Sequence, residues 1–287
     1  MARILLIGTA TLDLVFGLDH FPGADEEMRA RSLRVCRGGN AANTAVVLSQ
    51  LGHETEFFGT LADAPETAVI ERDFRVHGVA YGACPRLPGR PPTSAIYLSD
   101  ARRSIVHYRD LPENSAEHFD SISPAAYDWI HFECRNVAVI APVIRRFRAL
   151  APGVRISLEL EKPRAEMELL YPWPNVLICS RGFAAHHQFT EPTAFLDWMR
   201  GKAPQAVLAL GWGEVGAYGC APDGAVFHAP AAQPETVVDT LGAGDTFNAG
   251  LLDALVKGGS PEMALWQGVT LAGRKCAIEG LHLEGLL

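Results

Sequence analysis

The 287-residue sequence has few of the features that identify disulfide-rich, metal-binding or membrane proteins. Its six cysteines are scattered and include no Cys-x-x-Cys pair, so we expect buried free thiols rather than disulfides or a zinc site. No apolar run is long enough to cross a membrane. Residues 3–8 have the pattern of a short buried strand and not of a signal peptide. These absences predict a cytoplasmic protein without a membrane partner.

The basic residues are also outnumbered by the acidic ones. Lysine and arginine together number 25 against 33 aspartates and glutamates, which gives a formal net charge of −8. This balance argues against a nucleic acid or an anionic membrane as the main partner. It leaves room for a nucleotide, because a phosphate site is built locally from backbone N–H groups and a few cations.

The common nucleotide-binding signatures are missing as well. The sequence contains no Gly-x-x-x-x-Gly-Lys-Ser/Thr motif and none of the protein-kinase motifs. Residues 211–216 fit Gly-x-Gly-x-x-Gly, but a dinucleotide site needs a helix after this motif. Residues 217–227 instead have the pattern of a hairpin that turns at Asp223-Gly224. We therefore expect no nicotinamide or flavin site.

Short apolar runs alternate with helical patterns along most of the chain. This alternation predicts an α/β fold with a mostly parallel sheet wrapped by helices, whose ligands bind beyond the carboxyl ends of the strands. The predicted strands are 4–7, 129–132, 154–158, 176–179 and 206–210, and the predicted helices include 41–51, 67–77, 137–150 and 192–200.

The most informative segment is 238–248, where a strand pattern gives way to a helix. Gly242 and Gly244 allow a sharp turn and a close approach of the backbone to a ligand. The unpaired N–H groups at the start of the helix attract an anion, and Asp245 stands beside them as a proton acceptor. The pairing predicts phosphoryl transfer to a hydroxyl group. The alternative is an ordinary turn in which Asp245 is only a first-turn charge.

Two regions, about 12–36 and 93–109, show strand patterns with no helix between the strands. We expect these strands to form a small separate sheet that closes as a lid and keeps water from a transferring phosphate. Arg103, in the polar turn 100–103, is a candidate for a mobile cation over that phosphate. An edge hairpin without a function is the alternative.

Several polar residues fit the second substrate. Asp13, just after the first strand, suits a carboxylate that accepts hydrogen bonds from neighbouring sugar hydroxyls, or it is a turn residue. Asn40 and Asn43 share one face of a helix and offer both donors and acceptors, which suits a polyol. Helix capping is the alternative for Asn40. Glu161 and Lys162 either hold a metal-bound water or a phosphate, or form a solvated charge pair.

Together these motifs resemble those of the ribokinase-like carbohydrate kinases, and among them most closely the ketohexokinases, which are fructokinases. The resemblance runs over essentially the whole chain. It is carried by residues 38–43, 103–106, 134–136, 159–164, 237–249 and 272–276. It implies a ribokinase-like three-layer sandwich with a mostly parallel sheet and a small β lid, in one kinase domain spanning 1–287.

The resemblance also implies the reaction and the residues that perform it. The expected enzyme is an ATP- and Mg²⁺-dependent kinase that phosphorylates a neutral ketose such as fructose, with Asp245 as general base and Arg103 closing onto the phosphate. The amides of Gly242, Ala243 and Gly244 are then the anion hole. The implied sugar-binding residues are Asp13, Gly39, Asn40 and Asn43, and the implied nucleotide-binding residues are Trp212, Gly213, Glu214, Gly242, Gly244 and Cys276.

Three further implications concern ions and a partner chain. A homodimer is expected to form through the lid strands, with an acid of the 25–27 run, such as Asp25, reaching the partner's sugar. Asp239 matches a position that helps to bind a monovalent cation such as K⁺. The Asn-x-x-Glu motif that orders magnesium-bound water in many relatives is replaced by residues 180–183, so Glu161 is the substitute candidate for the metal.

Two alternatives to a fructose kinase stay open at this point. One is a kinase of the same fold that acts on ribose, 2-keto-3-deoxygluconate or a nucleoside. The other is a non-catalytic, sugar-sensing homologue, against which the intact Asp245 and its flanking glycines speak.

Overall fold

The strands and helices alternate through much of the chain, as the sequence predicts. The computed structural model describes residues 1–99, 102–283 and 285. In chain order the strands are β1 (Arg3–Ile7), β2 (Thr11–Gly17), β3 (Ser32–Gly38), β4 (Glu54–Phe58), β5 (Leu61–Ala62), β6 (Arg86–Leu87), β7 (Thr93–Ser99), β8 (Arg102–Tyr108), β9 (Trp129–Glu133), β10 (Arg155–Leu160), β11 (Val176–Ser180), β12 (Val207–Gly211), β13 (Gly216–Cys220) and β14 (Val226–Pro230). The helices are α1 (Asn40–Gln50), α2 (Thr67–Val76), α3 (Val137–Leu150), α4 (Arg181–His186), α5 (Pro192–Arg200), α6 (Ala243–Val256) and α7 (Pro261–Cys276).

Eight strands form the central sheet, in the order β14-β13-β12-β11-β10-β9-β1-β4. The six strands from β12 to β4 are parallel, and the hairpin of β13 and β14 adds two antiparallel strands at one edge. The parallel strands are apolar on both faces because both faces are covered. In β1, for example, Leu5 and Ile7 enter one core while Ile4 and Leu6 enter the other.

Helices cover the two faces of this sheet and make three layers. On one face the core is built with α3, α4 and α5, and on the other with α1, α2, α6 and α7. The predicted strands and helices of the central part are confirmed, with ends that differ by at most two residues. The hairpin predicted after residues 211–216 is also confirmed, since β13 pairs with β14 where a dinucleotide site would need a helix.

The strands outside the central sheet form the separate small sheet that the sequence predicts. Its order is β3-β2-β7-β8, with β2 parallel to β7 and both edge strands antiparallel to their neighbours. Within the first region, residues 18–31 connect β2 to β3, which begins at Ser32. Asp100 and Ala101, in the predicted turn, lie outside the described residues.

Two expectations about bulk properties can be compared with the structure. All six cysteines are free, but Cys36 and Cys276 are partly exposed, so the prediction of buried thiols is wrong for these two. Neither belongs to the two apolar cores. Within the described part of the chain, the helices are all too short or too polar to span a bilayer.

Helices α6 and α7 cross at two glycines. A Cβ atom on Gly250 would lie 3.0 Å from the Cα atom of Gly268, and a Cβ atom on Gly268 would lie 2.9 Å from the carbonyl oxygen of Phe247. Because these neighbours are backbone atoms, they cannot swing away as a side chain would. The crossing therefore fixes α6, the helix that begins with the glycine turn, against α7.

We predict that Gly268→Ala lowers the stability of the protein. Overpacking of a close helix contact costs about 1–3 kcal/mol, which should lower the thermal midpoint by several degrees. The matched control is Gly153→Ala, because a Cβ atom there would meet no atom within 4 Å. Thermal unfolding followed by circular dichroism measures both variants. Equal midpoints for the two variants would show that the crossing has room for a methyl group.

Candidate active site

The site is organised around the start of α6. Gly242 caps this helix in the left-handed conformation, with φ 82°, which a residue with a Cβ atom adopts only with strain. The amide of Ala243 donates to the carbonyl of Thr240, whereas those of Gly242 and Gly244 have no partner among the described residues. A Cβ atom on Gly244 would meet nothing within 4 Å. Two amides and open space thus meet at the positive end of the helix, which suits an anion.

Asp245 lies in the first turn of α6 and is buried. Its Oδ2 atom accepts a hydrogen bond of 2.5 Å from Nδ2 of Asn43, on α1. The Oδ1 atom of Asn43 accepts in turn from Arg37, whose Nε atom donates to Asp73. This chain of contacts orients the amide of Asn43 so that its NH₂ group faces Asp245. Asn43 therefore holds the carboxylate of Asp245 in place.

The environment of Asp245 raises its pKa from 3.8 to about 7. Burial is the largest cause, and the charges of Glu161 and Glu133 add to it, while the hydrogen bond from Asn43 acts in the opposite direction. A carboxylate with a pKa near neutrality is ionised in a useful fraction of molecules and still accepts a proton readily. The arrangement suits a general base.

A cavity of about 300 Å³ opens beside this helix start. It is lined by four of the sequence-predicted residues, Asp13, Asn43, Asp239 and Gly242, whereas Asp245 does not line it. The carboxylate of Asp13 accepts from the hydroxyl of Thr11 at 2.7 Å, and its side chain occupies the space that a Cβ atom on Gly38 would need. The remaining lining residues are Arg34, Cys36, Arg37, Asp73, His77, Leu241, Glu279, Gly280, Leu281 and His282.

Gly39 and Asn40 start α1 beside this cavity without lining it. Gly39 has φ 98°, and a Cβ atom there would lie 2.0 Å from the carbonyl oxygen of Thr9, so only glycine fits. The side chain of Asn40 does not cap the helix. Its Nδ2 atom donates to Glu159 at 3.0 Å and to Glu161 at 3.1 Å. The amide of Asn40 thus joins two carboxylates at the carboxyl end of β10.

Of the predicted nucleotide-binding residues outside the start of α6, three follow β12 and one ends α7. Trp212 is buried, and the guanidinium of Arg181 stands 5.4 Å from its ring centroid. Arg181 also pairs with the exposed Glu214 at 3.4 Å, next to Gly213, which has a left-handed backbone. Cys276 is partly exposed at the end of α7, and its carbonyl accepts from the amides of Val238 and Asp239.

Two further predicted residues, Arg103 and Asp25, also do not line the cavity. Arg103 is an exposed residue of β8, and Asp25 is exposed in the connection between β2 and β3. Neither lines the cavity beside α6. The roles assigned to them need either a movement of the lid or a second chain, and these roles stay predictions.

Asp239 anchors the loop that leads into the glycine turn. Its carboxylate accepts from the amides of Leu241 and Gly280 and from Arg34. The ammonium of Lys275, which is fully buried, lies 3.5 Å from the same carboxylate and donates to the carbonyl of Asp239. These contacts lower the pKa of Asp239 although burial opposes the shift. The position predicted to bind a monovalent cation thus carries two cationic side chains of the chain itself.

Sequence reasoning missed four residues of the site. Arg37 and Arg34 precede the Gly38-Gly39 turn on β3, Lys275 lies on α7, and Glu159 lies on β10. The signal for Arg37 was its place next to two glycines. The signal for Glu159 was its spacing of two from Glu161, because residues two apart in extended chain share one face. Lys275 gave no local signal, because its partner Asp239 is 36 positions away.

The comparisons with known proteins agree with this geometry. The sequence model of the pfkB family carbohydrate kinases matches residues 1–143 and 184–281 of this chain. The chain is 36% identical to ketohexokinase of Mus musculus over 97% of both chains, and 26% identical to ATP-dependent ribose-1-phosphate kinase of Halopiger xanaduensis over 96% of this chain and 94% of that one. The solved ribokinase of Giardia lamblia superposes with a TM-score of 0.85 at 16% identity, covering 98% of this chain and 94% of that chain.

The fold is therefore ribokinase-like, and the protein is an ATP-dependent sugar kinase. The chain belongs to the pfkB family of carbohydrate kinases. The family resemblance, the fold class and the kinase activity expected from the sequence are confirmed. Which sugar accepts the phosphate differs among the relatives, since their names include ketohexokinase, ribose-1-phosphate kinase and ribokinase.

We predict that Asp245→Asn stabilises the ligand-free protein relative to wild type, and that this gain is larger at pH 8 than at pH 5. The raised pKa means that the folded state disfavours the ionised carboxylate. The resulting loss of folding free energy is absent below pH 3.8, where the carboxyl group is protonated in both states. It grows with pH up to about 7, where the folded state also releases the proton. The neutral amide removes this cost. We expect the difference in thermal midpoint to grow by at least about 2 °C between the two pH values.

Thermal unfolding of both proteins in matched buffers checks this expectation. A control variant is Asp197→Asn, because Asp197 is exposed on α5. A midpoint that Asp245→Asn lowers equally at both pH values would mean that the carboxylate is structural and not held under electrostatic strain.

Proposed function

We propose that this kinase transfers the γ-phosphoryl group of ATP to a hydroxyl of a neutral ketose, with fructose as the acceptor. The single observation that supports this best is the position of Asp245. This buried carboxylate with a raised pKa is held by Asn43, and Asn43 lines the same cavity as Asp13 and Gly242. The cavity thereby joins an anion-binding helix start and polar groups for a sugar, and Asn43 links it to the base behind its wall.

In the proposed reaction Asp245 accepts the proton of the attacking hydroxyl. The amides of Gly242 and Gly244, with that of Ala243 after its bond to Thr240 opens, stabilise the negative charge of the transferring phosphoryl group. Asp13 and Asn43 orient the sugar, and Asn43 also keeps Asp245 in place. Most of the rate enhancement then comes from alignment and charge stabilisation.

The charges around the cavity favour a neutral acceptor. Arg34 pairs with Asp239 and Glu279, and Arg37 pairs with Asp73. Their positive charges are thus already balanced, and a second phosphate on the sugar would have to compete with these carboxylates. This argues against a phosphorylated acceptor such as the one named for the Halopiger relative. A cavity of about 300 Å³ is at the small end of ligand pockets and suits a monosaccharide.

The nucleotide is proposed to lie between the start of α6 and the end of β12. Trp212, Gly213, Glu214 and Cys276 would surround it, and Arg103 would reach its phosphates when the lid closes. Magnesium bound with ATP would neutralise phosphate charge, and the donors that fit it are carboxylates at the end of β10, with Glu161 the accessible one. Binding of K⁺ at Asp239 stays a prediction.

The whole chain is proposed to act as one kinase domain that pairs with a second copy. Apolar side chains are exposed on both edge strands of the lid, including Leu33 and Val35 on β3 and Ile105 and Val106 on β8. Such side chains favour a lid that is covered by another protein surface. A homodimer through the lids would cover them and would bring Asp25 of one chain towards its partner.

We expect purified protein with Mg²⁺ and ATP to form a sugar phosphate fastest from fructose, and more slowly from tagatose or ribose. Asp245→Ala and Asp245→Asn should lower turnover by on the order of a hundredfold or more while sugar binding survives. The product is identified by mass spectrometry, and sugar binding is measured by calorimetry. Asp197→Asn, on the far side of the sheet, serves as the active control.

Outcomes against the proposal are easily recognised. A preference for ribose, a nucleoside or 2-keto-3-deoxygluconate would reject the ketose acceptor but keep the kinase. Near-normal turnover in Asp245→Ala would reject its role as the base. A sugar that raises the thermal midpoint without ever yielding a phosphate would make the protein a sensor.

The pH dependence of the reaction follows from the pKa of Asp245. Because that pKa is raised to about 7, the carboxylate is protonated and inactive at lower pH. We expect kcat/KM for the sugar to fall about tenfold for each pH unit below 7, with Mg²⁺ and ATP kept saturating. A profile that stays flat down to pH 5 would contradict a base in this environment.

A further inference from the structure

Two residues that line the cavity beside α6 each have a buried polar atom without a hydrogen-bond partner among the described residues. One atom is Nε of Arg34, on β3, and the other is Nε2 of His77, the residue that follows α2. Buried polar atoms are nearly always paired, because an unpaired one loses its water without compensation. These two atoms therefore mark places in the cavity wall where a polar ligand is required.

Arg34 offers a donor. Its Nη2 atom donates to Asp239 at 3.0 Å, and its Nη1 atom lies 3.7 Å from the carboxylate of Glu279. These two contacts hold the guanidinium and balance its charge. The Nε–H group is left over, and a guanidinium nitrogen can only donate. Arg34 thus requires an acceptor.

His77 offers an acceptor. Its Nδ1 atom lies 2.9 Å from the backbone carbonyl oxygen of Asp73, which can only accept, so Nδ1 carries the hydrogen of the neutral ring. Nε2 of the same ring is then free of hydrogen and accepts. The side chain of His77 is only 10% exposed, and its ring packs edge-on against the ring of His282 at a centroid distance of 5.7 Å. His77 thus requires a donor.

The opposite polarity of the two unpaired atoms limits the kind of ligand. An anion would accept from Arg34 but would bring no hydrogen to Nε2 of His77. A metal ion could approach Nε2 but would be repelled by the guanidinium. A hydroxyl group both donates and accepts, so a neutral polyol satisfies both atoms.

The cavity has the size and the neighbours for such a ligand. Its volume of about 300 Å³ suits a monosaccharide. Asp13 and Asn43, the two side chains proposed to orient the sugar, line the same cavity as Arg34 and His77. A sugar that fills this cavity therefore presents hydroxyl groups to all four side chains.

We propose that Arg34 and His77 form a subsite for hydroxyl groups of the acceptor sugar that are not phosphorylated. Nε of Arg34 donates to one hydroxyl oxygen, and Nε2 of His77 accepts the hydrogen of another. This inference rests on the proposed function. A sugar without a hydroxyl at one of these places leaves a buried group unpaired and binds more weakly, so the subsite selects among sugars.

The test combines variants with sugars that lack one hydroxyl. Isothermal titration calorimetry, with Mg²⁺ and the non-hydrolysable analogue AMP-PNP, gives the Kd of fructose and of fructose analogues in which one hydroxyl is replaced by hydrogen. We expect His77→Phe, which keeps an aromatic ring without an acceptor, to weaken fructose binding about three- to tenfold. One deoxy analogue should bind wild type and His77→Phe equally, because the missing hydroxyl and the missing acceptor are partners.

Further variants separate a sugar contact from a structural effect. His77→Gln restores an acceptor and should recover most of the affinity, and Arg34→Lys keeps the charge without the Nε–H group and should lose sensitivity to a different deoxy analogue. His186→Phe is the matched control, because His186 is exposed on α4 and does not line the cavity. In turnover assays His77→Phe should raise KM for fructose and leave kcat nearly unchanged. If His77→Phe does not fold, Arg34→Lys carries the same test.

Unchanged fructose affinity in both His77→Phe and Arg34→Lys would overturn the proposal. So would a loss of affinity that is equal for fructose and for every deoxy analogue, since a purely structural residue behaves in this way. These results differ from failure of the proposed function. Fructose phosphate formed with an unchanged KM in both variants rejects only the subsite, and fructose binding that depends on His77 without any fructose phosphate rejects only the reaction.

Discussion

The site depends on one constraint, which is that Asp245 has to be shielded from water and still be able to carry a charge. Burial favours its neutral form, and the helix start and the amide of Asn43 favour its ionised form. A balance between these effects places the pKa near neutrality. The structure maintains it through Arg37, which binds Asn43 and thereby prevents the amide from turning its oxygen towards Asp245. A movement of Arg37 would release the amide of Asn43 and thereby shift the pKa of Asp245 away from neutrality.

Buried charge serves two different purposes in this molecule. Around Asp239 it is fully compensated, since Arg34, Lys275 and two backbone amides surround the carboxylate. Such a network fixes one arrangement of the loop before α6, because breaking any contact would leave a buried charge alone. Around Asp245 and Glu159 the negative charge is not compensated by cations in direct contact. The paired charges around Asp239 thus hold the loop before α6 rigid, whereas burial raises the pKa of Asp245 and of Glu159 in the site itself.

The sequence predicted the fold well because its signals are local. Buried strands such as β1 are continuous apolar runs, and α3 and α5 were predicted with their observed ends. For the candidate site, the sequence points to residues 242–245 because the glycines and the acid lie in one segment, and the roles assigned to them stay predictions. Contacts between residues that are distant in sequence were not predictable. The amide of Asn40, whose sugar-binding role stays a prediction, binds Glu159 and Glu161, which lie about 120 positions away. Nothing in the spacing of the residues encodes that contact.

Three glutamates at the same edge of the sheet show why residue type alone cannot give function. Glu133 is neutralised by Arg135 and holds backbone amides, so it stabilises the fold. Glu161 is half-exposed and keeps contact with solvent, so its charge costs little. Glu159 is buried, its Oε1 atom accepts only from the neutral amide of Asn40, and its Oε2 atom has no hydrogen-bond partner among the described residues. A buried carboxylate in such a place favours its neutral form, and its pKa is raised by burial first and then by the nearby acids. The same residue type thus meets three different environments at one edge of the sheet, which its place in the sequence does not reveal.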